Sequence, residues 1–234
     1  MKSMLVMTAA ALAIAAPRAG DAATFAYTAD LVALNSSGVT GMAELLLDDV
    51  AMTLDVQVSA KGLEANQLHV QHIHGLFDAN GNPANSQSPT IAQDADGDGF
   101  VELLEGATSY GPIVLELRDD TIPGTGGFPM APHGTIDFSY QYDLLTTPAF
   151  AAGMSAADLF DLTLREIVIH GMSVRADQGV GTGGEVNGTA GYRAVLPVAT
   201  GEFELSAVPV PAALPLFLTA IGLMGFTAYR RKVA

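Results

Sequence analysis

The chain has 234 residues, and its 25 acidic and 10 basic side chains give a formal net charge of −15. That charge repels phosphate backbones and excludes nucleic acid as a partner, while it favours cations. With no Cys, disulfides, thiolate metal sites and a Cys nucleophile are excluded as well, and an apolar content of 49% is ample for a folded core.

Residues 1–23 begin with Lys2, continue through the apolar run Met4–Ala16 and end in small residues at Ala22-Ala23. This is the order of a secretory signal peptide, cut by signal peptidase. Residues 24–204 carry the fold. Strand-length apolar or alternating segments occur at Thr24–Leu34, Val39–Leu47, Ala51–Ala60, Gln67–His74, Pro112–Leu117, Thr135–Tyr142, Glu166–His170 and Tyr192–Val198. Turn clusters such as Asn35-Ser36-Ser37-Gly38 separate them. Only Ser155–Leu162 reads as a helix, with Ser155 at the N-cap and Asp158 in the capping-box position. The fold class is therefore all-β, an antiparallel Greek-key sandwich or barrel with one short helix. Two segments, 75–111 and 171–191, are too long and polar for hairpin turns, and long loops on a β scaffold usually carry function.

Leu205–Tyr229 holds no charged residue and runs directly into Arg230-Arg231-Lys232. A span of this length crosses a bilayer as a helix, with the basic cluster on the cytoplasmic side and the preceding domain facing outward. Its opening, Val208-Pro209-Val210-Pro211-Ala212-Ala213-Leu214-Pro215-Leu216, resembles the PEP-CTERM class of bacterial sorting tails in its VPLPA-like form, departing from it at Val210. The resemblance implies recognition by an exosortase-type membrane enzyme. It also implies either anchorage in the inner membrane or transfer to the cell surface or extracellular matrix.

Five histidines are present: His69, His72, His74, His133 and His170. Residues two apart on a strand share a face, so His72 and His74 point one way and His69 the other. Two such imidazoles can reach one metal ion, and His170, at the end of the apolar run Ile167-Val168-Ile169, is the candidate third ligand. A hydrogen-bonded histidine pair at a strand end would leave the same pattern.

Leu68-His69-Val70-Gln71-His72-Ile73-His74 and Arg165-Glu166-Ile167-Val168-Ile169-His170 resemble the copper-ligand strands of the copper/zinc superoxide dismutases. Gly181-Thr182-Gly183-Gly184 and Ala190-Gly191-Tyr192-Arg193-Ala194 are similar to that family's active-site loop and anion-guiding arginine. His72-Ile73-His74-Gly75 with Tyr110-Gly111-Pro112-Ile113-Val114-Leu115 is also similar to the non-enzymatic CHRD domain. The dismutase resemblance implies copper at His72, His74 and His170, a structural role for His69, and a catalytic role for Arg193 facing an incoming anion. His133, in a Pro-His context, is a further candidate ligand. Residues 75–132 contain no His, so the resemblance implies no zinc site, and without Cys the family's disulfide is impossible.

Asp94-Ala95-Asp96-Gly97-Asp98-Gly99-Phe100-Val101-Glu102-Leu103-Leu104-Glu105 fits a twelve-residue EF-hand loop. Asp94, Asp96 and Asp98 take positions 1, 3 and 5, Gly99 the turn, Phe100 the carbonyl position, Glu102 position 9 and Glu105 the bidentate position 12. An oxygen cage of this kind selects Ca²⁺. No entering helix is expected before it, so its role would be to pin the long insertion. Asp78-Ala79-Asn80-Gly81-Asn82 reads as an Asn-Gly turn, with a second, weaker oxygen site as the alternative. Three functions remain open: a copper-binding surface domain, an active copper-only dismutase, and a CHRD-like structural or matrix-binding module without copper.

Overall fold

The computed structural model describes residues 24–119, 121–122 and 126–206. The expected signal peptide and the apolar span beyond Ser206 lie outside the described residues. Among those described, no helix is long and apolar enough to cross a membrane. The elements follow in the order β1 (Thr24–Ala33), β2 (Thr40–Asp48), β3 (Thr53–Lys61), β4 (Gln71–Phe77), β5 (Pro83–Ala84), α1 (Leu103–Tyr110) and β6 (Ile113–Glu116). They continue with β7 (Thr135–Asp143), α2 (Ala156–Leu159), β8 (Arg165–Val174), β9 (Gly191–Glu202) and β10 (Glu204–Ser206).

Period-two alternation builds the first sheet, in which β1, β2, β3 and β7 pair antiparallel in that order. Tyr27, Ala29 and Leu31 of β1 turn inward, as do Ala43, Leu45 and Leu47 of β2 and Leu54, Val56 and Val58 of β3. The second sheet pairs β6 and β8 with β4, and β9 with β8, all antiparallel. β1 joins the two sheets: its early residues pair with β2 and its last two, Val32 and Ala33, with Thr200 and Ala199 of β9. The main core lies between them, where Ile73, Leu115, Ile167 and Ile169 of the second sheet meet Leu45, Val56 and Val58 of the first.

The all-β class and its β-sandwich character therefore hold, and each of the eight expected strands has a counterpart. Two short strands go beyond that reading. β5 closes a hairpin with β4 around the 78–82 turn, where Asp78 accepts from the Asn80 and Asn82 backbones. β10 pairs with β1 and takes in Leu205 and Ser206, so the sandwich runs two residues past the expected boundary at 204. The expected helix is present as α2, with the Ser155–Asp158 capping box, and is followed by a 3-10 turn at Leu162–Leu164.

One short helix is corrected to two, because Leu103–Tyr110 forms α1. Gly106, Thr108 and Ser109 give it weak intrinsic propensity. Its start depends on a reciprocal cap between Glu102 and Glu105, and its end on the burial of Tyr110. Only the folded context supplies that burial.

Arg165, the first residue of β8, is fully buried. Its guanidinium donates to the carbonyls of Asp158, Leu159, Phe160, Leu164 and Ala84 and lies over the Phe77 ring, 5.2 Å from its centroid. Burial lowers its pKa, opposed by the nearby charges of Asp158 and Asp161. One side chain thus ties the α2 segment to both β4 and β8. Gly75 makes room for it, since a Cβ there would approach the Arg165 side chain to 2.9 Å.

Candidate metal centre

The two sheets differ in what covers their outer faces. β2 and β3 alternate buried and exposed residues, whereas β4 from Gln71 to Gly75 and β8 from Arg165 to Gly171 are buried on both sides. Ile73, Ile167 and Ile169 face the core. The opposite face carries His72, His74, Glu166, Val168 and His170, with His72 beside Val168 and His74 beside Glu166 in register. The long insertion and the segment after β8 supply the cover. Phe100 of the insertion packs with Val174, Val186 and Leu196 in a second, smaller core.

His72, His74 and His170 converge. One ring nitrogen from each lies within 4.8 Å of the others, and the ring centroids are 5.3 to 6.1 Å apart. All three are buried, at 7, 2 and 1% exposure. Burial is the main reason the imidazolium form is disfavoured. It lowers His74 to about 3 and His170 to about 4, and holds His72 well below its ordinary value. Each ring is therefore neutral at pH 7, with one N–H and one lone pair.

Backbone carbonyls fix where the lone pairs point. His74 donates from Nδ1 to the Gly111 carbonyl at 2.9 Å and His170 from Nδ1 to the Val195 carbonyl at 2.6 Å, leaving Nε2 of each as the acceptor atom. His74 Nε2, His170 Nε2 and His72 Nδ1 are buried without a hydrogen-bond partner. A buried orphan of this kind costs about 1–3 kcal/mol. Three neutral imidazole nitrogens left unpaired around one point fit a metal ion of the imidazole-preferring group. Phe128 and Tyr110 close the sides, with ring centroids 5.5 Å from His72 and 4.5 Å from His74.

The other expected residues fall as follows. The ring nitrogens of His69 lie 2.9 Å from the His170 carbonyl and 3.0 Å from that of Glu64, and Tyr192 packs edge-on against it. His69 thus braces the backbone beneath His170. Gly171 must stay small there, because a Cβ would collide with the Tyr192 hydroxyl. His133 does not join the cluster: it is exposed in the turn just before β7, while the three grouped histidines are buried. Arg193 stands opposite Met172 in the β8–β9 register and donates to the Thr189 carbonyl, while its Nε is buried without a partner.

The acidic loop forms a second group. Asp94, Asp96 and Asp98 bring carboxylate oxygens within 4.8 Å of one another. Asp94 accepts from the backbones of Gly97, Asp98 and Gly99, and Asp98 Oδ2 is buried without a partner. Glu105 caps the loop from the far side, accepting from the Ala95 and Glu102 backbones at 2.7 and 2.9 Å. Glu102 is buried and turns instead toward the later loop, where it accepts from the Val186 N–H. Phe100 points its ring into the smaller core. A 3-10 turn at Ile91–Gln93 precedes the loop, and α1 follows it.

Glu166 is the buried group that the sequence does not reveal. It accepts from Ser88 Oγ at 2.6 Å, and its Oε2 is buried without a partner. Burial first, and then the Glu202 charge, raise its pKa from 4.5 to about 7. A carboxyl raised on folding contributes stability that is complete below the unfolded value of 4.5 and is lost as pH rises through about 7. Glu166→Gln is therefore expected to match the parent near pH 4 and to exceed it by about 3 kcal/mol near pH 8. Chemical denaturation at both pH values reads this, and an unchanged difference between them would contradict it.

No protein-family model matches this chain, and no curated protein matches it.

Proposed function

We infer that this is an exported, dismutase-like surface domain that binds copper through His72, His74 and His170 and is stabilised by calcium in the 94–105 loop. The observation that carries the reading is the convergence of three buried, neutral imidazoles on one point, each with an unpaired ring nitrogen. The strand order supports it as a two-sheet antiparallel sandwich, in which β9 lies beside β1 and β7 returns to lie beside β3. Copper, when bound, would supply one-electron chemistry between its two oxidation states. The chain's own residues hold the three nitrogens deprotonated, aim two of them by carbonyl hydrogen bonds, and shield them with Phe128 and Tyr110.

Calcium is supported by the loop's twelve-position pattern and by the clustering of Asp94, Asp96 and Asp98. Export rests on the signal-like residues 1–23, and surface or matrix placement on the PEP-CTERM-like tail, with signal peptidase and an exosortase-type enzyme as processing partners. Binding without turnover is the favoured form, because a net charge of −15 slows the approach of an anionic substrate. The copper-only dismutase reading rests on Arg193, whose Nε has no partner. Superoxide consumption by the copper-loaded chain, lost in Arg193→Ala with copper retained, would establish turnover. A copper-loaded chain that consumes no superoxide is the expected result. A chain that takes up calcium but no copper would leave the CHRD-like surface module.

A further inference from the structure

The two groups are joined by one continuous run of chain. Glu105 closes the acidic loop and lies in the first turn of α1, whose last residue, Tyr110, packs against the His74 ring at 4.5 Å. The next residue, Gly111, supplies the carbonyl that accepts the His74 Nδ1–H. Gly111 has φ +83 and abuts the Gly75 carbonyl so closely that a Cβ would collide with it. The carbonyl is therefore set by backbone contact rather than by a side chain free to readjust. A second connection runs beside the first. Asn35 accepts from the Val101 N–H and donates to both the Val101 and Pro197 carbonyls, and Val195, two residues before Pro197, accepts from His170.

α1 is weakly held. Of its residues only Gly106 and Tyr110 are buried, and Leu104 is 80% exposed. At its start the Leu103 N–H donates to Glu185, and near its end the Ser109 carbonyl accepts from the Gln87 N–H. Few apolar contacts and a single ring against His74 place such an element at the low-stability end of the molecule. The loop that precedes it brings together Asp94, Asp96 and Asp98, with the Asp98 Oδ2 buried and unpaired. Without a cation these neighbouring carboxylates repel one another just ahead of α1.

We propose that calcium in the 94–105 loop sets the metal affinity of the three-histidine site by docking α1, so that Gly111 and Tyr110 hold His74 in its ligating orientation. The inference rests on the functional reading above and adds regulation to it. Two arrangements are involved: α1 docked, with the Gly111 carbonyl on His74, and α1 lifted, with His74 free to rotate away from the cluster. Calcium binds the first better, and so does a metal that needs three convergent nitrogens. Linkage then requires each ion to tighten the other by the same factor. Loss of an outer hydrogen bond to a ligating histidine typically weakens metal binding by about 10–100-fold, which bounds the expected coupling.

The test uses the full chain, stripped of metal and freed of chelator. Copper(II) affinity is measured by competition with a chromophoric copper ligand, in calcium-free buffer and in millimolar calcium, while calcium binding is read by calorimetry. The expected result is copper affinity about 10–100-fold higher with calcium. Asp96→Asn removes one loop carboxylate, keeps an oxygen for the Asp98 N–H and leaves the Glu102–Glu105 cap of α1 in place; it should weaken calcium binding and lose the gain in copper affinity. Tyr110→Leu should bind both ions with reduced coupling. Equal copper affinity with and without calcium, while calcium binds, would overturn the coupling and leave both sites standing. A chain that binds calcium but no copper would overturn the histidine reading, and the coupling with it; one that binds copper but no calcium would overturn the calcium reading and the coupling, and leave the histidine site standing.

Discussion

Arg165→Met is expected to lower the unfolding free energy by about 4 kcal/mol or more, enough to leave a typical domain only marginally folded. The guanidinium is fully buried and is the donor to carbonyls of the α2 segment, of Leu164 and of Ala84. Methionine fills part of the volume but donates nothing, so these carbonyls lose that donor in a site closed to water, at about 1–3 kcal/mol for each one left bare. Arg165→Lys should recover part of the loss, because an ammonium has three donors but not the planar fork that spans them all. Urea or guanidinium titration of the three proteins measures this. A Met variant within about 1 kcal/mol of the parent would mean that the segment finds other donors and that Arg165 is not its anchor.

The metal-free chain is expected to lose several kcal/mol of stability as pH falls from about 6.5 toward 3. His74 and His170 are lowered to about 3 and 4 from an ordinary 6.5, and His72 shifts the same way. A group whose folded pKa is depressed contributes stability that is present above the unfolded value and lost as pH falls through the folded one. The window therefore opens near 6.5, well above the range in which ordinary carboxylates titrate. The triple variant His72→Gln/His74→Gln/His170→Gln cannot take up these protons and should show a much shallower decline between pH 6.5 and 4. Parallel decline in the two proteins would show that the cluster is solvated and not the closed neutral site described here. Bound metal competes with protons for the same nitrogens, so metal should shift the parent's acid transition to lower pH.

Much of this was visible in the sequence where a single physical period decides the outcome. The alternation along Thr53–Lys61 or Thr40–Asp48 has one solution on a half-covered sheet, and His72 and His74 share a face by the same rule. His170 stands at the end of an apolar run in the sequence, and the fold brings it to the other two. What was hidden depended on long-range cover. α1 has poor local propensity and forms where Tyr110 meets His74. Arg165 and Glu166 read as polar residues opening a strand, yet both are fully buried, because segments distant in sequence close over them. His133 shares its Pro-His context with a ligand loop, but nothing in two residues specifies where the loop goes, and it is exposed. The carbonyls of Gly111 and Val195, which choose the histidine tautomers, leave no trace in side-chain identity at all.

The most direct measurement is the metal content and copper(II) electron paramagnetic resonance spectrum of the purified chain after exposure to copper and calcium and thorough dialysis. The His72→Ala/His170→Ala variant serves as the control. The expected result is about one copper per chain with hyperfine structure from three imidazole nitrogens, lost in the variant while calcium is retained. Calcium alone in both proteins, or copper held equally by the variant, would contradict a copper site at His72, His74 and His170.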